Sequence, residues 1–148
     1  MNNKQTIHFE FECIDLPQAG SSPYAHWRLG VQEKQEVRQD VPCAPEPARF
    51  RFAVEVVITP ADDAVAFRGG YVHGPRRGQF VYLSWGERVG EGWQLFRRAK
   101  IPLGSVSRQT VEQALRENRP IRARIRMTDA RGEPVAASVK ADYIEWLG

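Results

Sequence analysis

The chain has 148 residues, 42% hydrophobic and 26% charged, with a formal net charge of +3. That length suits one domain over 1–148, which buries roughly 70% of the surface its unfolded chain exposes and needs no metal or disulfide staple. So small a positive charge is no nucleic-acid signature, and no apolar run reaches the length of a signal sequence or a membrane span.

Ile7 to Cys13 alternates, with Ile7, Phe9, Phe11 and Cys13 on one face and His8, Glu10 and Glu12 on the other, the pattern of a half-buried strand. Pro17, Gly20 and Pro23 then mark a loop. Trp27 to Val37 is a second strand, with Gly30 as a bulge or a point of close backbone approach. Asp40 to Ala48 carries Pro42, Pro45 and Pro47 and reads as an extended surface connection. Phe50 to Ile58 is the clearest strand, placing Phe50, Phe52, Val54, Val56 and Ile58 inward. Thr59 to Asp63 turns the chain.

Gln79 to Trp85 is a strand with apolar residues on both faces, which marks a central position. Gly86 to Gly92 joins it to Trp93–Leu103 as a hairpin. Ser107 caps the one helix, whose stripe is Val111, Ala114 and Leu115 and which Pro120 stops. Ile121 to Thr128 alternates apolar residues with Arg122, Arg124 and Arg126. Asp129-Ala130-Arg131-Gly132 is a turn, and Val135 to Trp146 is the last strand. The sum, about seven strands, predicts a mainly β fold: an antiparallel β-sandwich or partly open β-barrel with one α-helix inserted before the last two strands.

The candidate site is the stretch Arg68 to Arg77 with the aromatic strand behind it. Arg68 and Arg76 offer planar forks for a carboxylate or phosphate. His73 titrates near neutral pH and orients or senses a ligand. Tyr71, Tyr82 and Trp85 supply a ring-lined wall. Together they predict a non-catalytic binding module for a small organic or anionic ligand. One alternative is an enzyme, an isomerase or hydrolase, with His73 as general acid or base; it requires a carboxylate or tyrosine beside the imidazole. The other is a protein-interaction or homo-oligomer module using Trp27, Trp93 and Trp146. Ser84 lacks the glycines of a nucleophile elbow.

His8, His26 and His73 are far apart in the chain and Cys13 and Cys43 have no Cys-x-x-Cys partner, so neither a metal site nor a cofactor is expected. With no signal sequence, the expected location is cytoplasmic and no membrane partner is expected. The Arg122–Arg124–Arg126 row is expected to pair with Glu10, Glu12, Glu55 or Glu145 across strands. Sheets that read RNA set aromatics among the basic groups on one face, and here the neighbouring aromatics alternate inward, so no nucleic-acid partner is expected.

Several segments together resemble a family of small bacterial proteins of unknown function: Phe11-Glu12-Cys13-Ile14-Asp15-Leu16-Pro17, Leu29-Gly30-Val31-Gln32, and Phe67-Arg68-Gly69-Gly70-Tyr71-Val72-His73-Gly74-Pro75. The resemblance continues through Phe80-Val81-Tyr82-Leu83-Ser84-Trp85, Arg97-Arg98-Ala99-Lys100 and Thr128-Asp129-Ala130-Arg131-Gly132-Glu133-Pro134. It departs at Gly70 and Gln79, where such relatives carry proline and arginine. It spans nearly the whole chain and implies one domain, with no activity attached.

Overall fold

A computed structural model of the chain describes residues 4–14, 25–30, 38–42, 47–59, 64–74, 78–126 and 144–148. Among the described residues two sheets pack around one apolar core, one of them curled as a half-barrel, with a single α-helix before the last strands. The first sheet runs in the order β5-β4-β1-β8-β9, from β1 (Lys4–Ile14), β4 (Ala48–Thr59), β5 (Ala64–Arg68), β8 (Ile121–Arg126) and β9 (Ile144–Trp146). The second runs β3-β2-β6-β7, from β2 (Ala25–Leu29), β3 (Gln39–Pro42), β6 (Phe80–Val89) and β7 (Gly92–Pro102). The turn at 129–132, most of the expected last strand, residues 31–37 of the second, and Cys43 lie outside the described residues.

Alternation dictates which residues form the core. Ile7, Phe9, Phe11 and Cys13 of β1 and Phe50, Phe52, Val54 and Val56 of β4 are buried, and their intervening residues face out. The second sheet answers with Trp27, Leu29, Val81, Leu83 and Trp85. Among the described strands pairing is antiparallel except between β1 and β8, which run parallel, Phe9 opposite Ile121. A parallel neighbour requires a crossover, and the whole second sheet and the helix intervene in sequence between the two strands.

Two expectations need correction. The proline-rich stretch is not all connection, because Gln39–Pro42 pairs with β2 as the edge strand β3. Pro42 is its last residue, a position where a missing N–H costs an edge strand nothing. Ala64–Arg68, which lies between the expected turn and the expected loop, is β5, paired with β4 from Thr59↔Ala64 to Glu55↔Arg68.

The outer face of the first sheet is laced with ion pairs. Arg51 and Arg122 lie 3.2 and 3.8 Å from Glu10, and Arg124 lies 4.0 Å from Glu12 and 3.8 Å from Glu145. This is the cross-strand pairing expected of the arginine row. At such exposure each pair contributes little, up to about 1 kcal/mol.

The helix α1 (Arg108–Glu117) starts where Ser107 Oγ accepts from the Thr110 N–H at 3.1 Å. It ends at Asn118 in the left-handed region, φ 50°. Val111 and Ala114 go into the core and Leu115 packs beside them.

One buried amide joins the two sheets. Gln79 precedes β6, and its Oε1 accepts from the Phe67 N–H at 2.7 Å while its Nε2 donates to the Phe67 carbonyl. Its own carbonyl accepts from Leu103 N–H at 3.0 Å. A side chain thus serves the edge strand β5 as a neighbouring strand would, satisfying both backbone groups of one residue.

Candidate functional site

The chain leaves β5 at Arg68, turns with Val72 N–H donating to Gly69 at 3.1 Å, and reaches His73. His73 and Phe80 exchange backbone hydrogen bonds of 2.8 and 3.0 Å. This bridge pins His73 against the start of β6, where it extends the row begun by β2. Between them Gly74 adopts φ 91°, and a Cβ there would sit 2.9 Å from the Gly78 carbonyl and 3.0 Å from the Phe80 ring. Only glycine fits that position.

Side chains of β6 alternate, so Phe80, Tyr82 and Ser84 stand on the outer face while Val81, Leu83 and Trp85 face the core. Registers with β2 and β7 complete this face: Arg28 is opposite Ser84 on one side, Arg98 is opposite Ser84 on the other, and Lys100 is opposite Tyr82. Asp40 of β3 closes the row, with its carboxylate 3.3 Å from Arg28 Nε.

The rings form one cluster. The His73 ring lies 4.9 Å from Tyr82 and 5.9 Å from Phe80, and Phe80 and Tyr82 meet edge to face at 5.0 Å. Arg98 stands over Tyr82 at 5.3 Å and Lys100 over Phe80 at 4.7 Å, both cation–π contacts.

His73 Nε2, Ser84 Oγ and Arg98 Nε are buried and have no hydrogen-bond partner among the described residues. Burial lowers the His73 pKa from its ordinary 6.5, so the imidazole is neutral at pH 7. Burial likewise lowers the pKa of Arg28; Asp40 opposes this, and Arg38 and Arg88 add repulsion that lowers it further.

The structure separates the residues proposed from sequence. His73 and Tyr82 come together. Trp85 does not join them; at 2% exposure it lies in the core, because residues three apart on a strand point to opposite faces. Tyr71 turns toward the core edge, its ring 5.4 Å from Phe52 and its hydroxyl 3.3 Å from Gln39 Nε2. Arg68 is exposed and in register with Glu55, on the outside of the first sheet. Arg76 lies outside the described residues.

Trp27, offered as an interface aromatic, is fully buried, and Trp146 packs on Phe9 and Phe11 at 6.0 and 6.3 Å. The side chain of Trp93 is outside the described set. Sequence reasoning missed Arg28, Arg98 and Lys100, and weighed Ser84 only as a nucleophile. The available signal was the alternation at the end of β7 itself, where Ala99 and Ile101 are apolar and go to the core while Arg98 and Lys100 point out.

Two hollows lie elsewhere. A hollow of about 300 Å³ lies on the outer face of the first sheet among Glu10, Glu12, Arg49, Arg51 and Arg122, where Glu10 already answers two of the arginines. Another, of about 280 Å³, lies beside the helix end at Asn118, Arg119 and His8. Among the described residues no group of His, Cys, Asp and Glu is placed to hold a metal ion, and no helix is long and apolar enough to cross a membrane.

The fold and its outer-face cluster define a mainly β, two-sheet protein with a ring-and-cation patch on one sheet. Residues 7–147 match the model of a family of unknown function, DUF5990, and the chain belongs to that family. No curated protein and no solved structure matches it.

Proposed function

We propose that the protein is a non-catalytic binding module that takes a small organic anion on the outer face of the second sheet. The observation behind this reading is the set of buried, unpartnered atoms His73 Nε2, Ser84 Oγ and Arg98 Nε on that one face. An unpaired buried polar group costs about 1–3 kcal/mol. Each of the three can donate a hydrogen; Ser84 and Arg98 are cross-strand neighbours that an anion can engage together, beside the positive charge of Lys100, with His73 Nε2 a further donor along the same face.

Acid–base catalysis by His73 has weaker support. Tyr82 stands beside the imidazole as that reading requires, but it meets His73 through its ring, and neither its hydroxyl nor a carboxylate among the described residues hydrogen-bonds the imidazole to orient it.

A thermal-shift panel of small organic acids and phosphate esters checks the reading. At least one compound is expected to raise the melting temperature. Arg98→Ala is expected to weaken that ligand about tenfold or more through loss of a charge-assisted bond. Arg68→Ala, on the other side of the molecule, is expected to leave it unchanged. A panel without response, or a response equal in Arg98→Ala, counts against the proposal.

A further inference from the structure

We propose that the outer face of the first sheet is a docking trough for an extended acidic peptide, one with carboxylates on alternate residues. This surface is separate from the anion seat on the second sheet. The two hollows adjoin along β1: Glu10 and Glu12 border the larger, Thr6 and His8 border the smaller, and Arg51 borders both. From Thr6 to Glu12 is six steps of a strand, about 20 Å. β4 and β8 flank β1 in the sheet. Arg49 and Arg51 of β4 therefore wall one side, and Arg122 of β8 with Arg119, just before that strand, walls the other.

The charges within the trough do not balance. These four guanidinium groups border it against two carboxylates, Glu10 and Glu12. Glu10 is shared between Arg51 and Arg122. Glu12 is in register with Arg49 but lies 4.0 Å from Arg124 on its other neighbour, and Arg49 makes no ion pair among the described residues. Arg119 is answered by Glu117, which is not part of the lining. Arg49 and Arg51 are both exposed. An exposed pair such as Arg51 with Glu10 contributes little, so Arg51 can turn to an incoming carboxylate at small cost.

The same weakness decides which anion fits. A single small acid meets one exposed guanidinium and gains little, whereas a ligand with several carboxylates at the right interval gains from each. Arg49 and Arg51 are two residues apart on one strand, about 6.6 Å. Side chains on one side of any extended chain repeat at that interval, so acidic residues at every second position meet both in register. The walls stand two strand spacings apart, about 10 Å, which admits one extended chain. A nucleic-acid strand fits less well. Phe11 and Phe50 border the trough but are buried, so they offer no ring on which bases could stack.

The test is fluorescence anisotropy of the full chain at low salt with a labelled heptapeptide that alternates aspartate and threonine. The comparison ligands are a heptapeptide of the same composition with its aspartates consecutive, an asparagine–threonine heptapeptide and a short oligothymidylate. The alternating peptide is expected to bind about fivefold or more tightly than the consecutive one, which turns only half of its carboxylates to one side. The double variant Arg49→Ala, Arg51→Ala is expected to weaken it by about fivefold or more. Arg88→Ala, which removes an exposed arginine of the second sheet, is expected to leave it unchanged; urea curves confirm that the variants fold. No binding of the alternating peptide, or equal binding of the consecutive or the asparagine peptide, overturns the proposal. Unchanged affinity in the folded double variant overturns it too. Oligothymidylate binding as tightly as the alternating peptide overturns it in favour of nucleic acid.

Discussion

Phe9→Ala is expected to cost about 3–5 kcal/mol of folding stability, enough to leave the variant marginal or unfolded at 37 °C. Phe9 has no exposed surface and sits at the centre of a ring cluster. Its ring stacks on Phe52 at 5.4 Å and meets Phe11, Phe67 and Trp146 at 6.1, 5.6 and 6.0 Å. Those neighbours come from β1, β4, β5 and β9, so one truncation loosens most of the first sheet at once. The cavity cannot collapse easily, because every wall is a strand fixed by its own ladder. Urea denaturation measures the cost. A loss below about 1 kcal/mol would mean that the core is not packed around this ring.

Gln79→Ala is expected to cost about 2–4 kcal/mol, with no comparable loss of apolar burial. The substitution strands both the N–H and the carbonyl of Phe67, and each unsatisfied buried group costs about 1–3 kcal/mol. Gln79→Glu separates the two bonds. At pH 7 the carboxylate still accepts from the Phe67 N–H but has no hydrogen for the carbonyl, and it is ionised at a buried site. It is expected to be at least as damaging as alanine at pH 7. It is expected to recover part of the loss on acidification relative to Gln79→Ala, because a protonated carboxyl can donate again. Denaturation curves at pH 7 and pH 5 for the two variants read this. Wild-type stability in Gln79→Ala would remove the clamp between the sheets.

How far the sequence reveals the molecule depends on whether a feature is local. β1 and β4 are plain because one face of each is buried and the other wet, which imposes a period of two on the residues themselves. The helix is plain because its cap, stripe and stop all lie within 107–120. β5 is hidden because it has five residues at the edge of its sheet, and among those from Val65 to Arg68 only Phe67 is buried. β3 is hidden because prolines around it read as a breaker, although an edge strand tolerates one. The parallel pairing of β1 with β8 is a long-range event with no local mark.

For the site, the choice of segment came from local signals: glycines, a histidine and aromatics. Its partners came from register. Arg98 and Lys100 face Ser84 and Tyr82 because the β6–β7 ladder shifts at Trp85/Gly86, and a shift by one residue reverses the outward face. No residue type announces that shift. The grouping of Tyr82 with Trp85 was contrary to strand alternation and could have been set aside from the sequence alone.

The feature on which the functional account turns is the outer face of the second sheet as an anion seat. Amide chemical shifts followed by NMR while the organic acid or phosphate ester that most raises the melting temperature is added to the folded protein address it most directly. The account predicts saturable changes centred on His73, Tyr82, Ser84, Arg98 and Lys100, with the arginine row of β8 unmoved. Changes confined to Arg122 and Arg124 on the first sheet, or none anywhere at millimolar ligand, would contradict it.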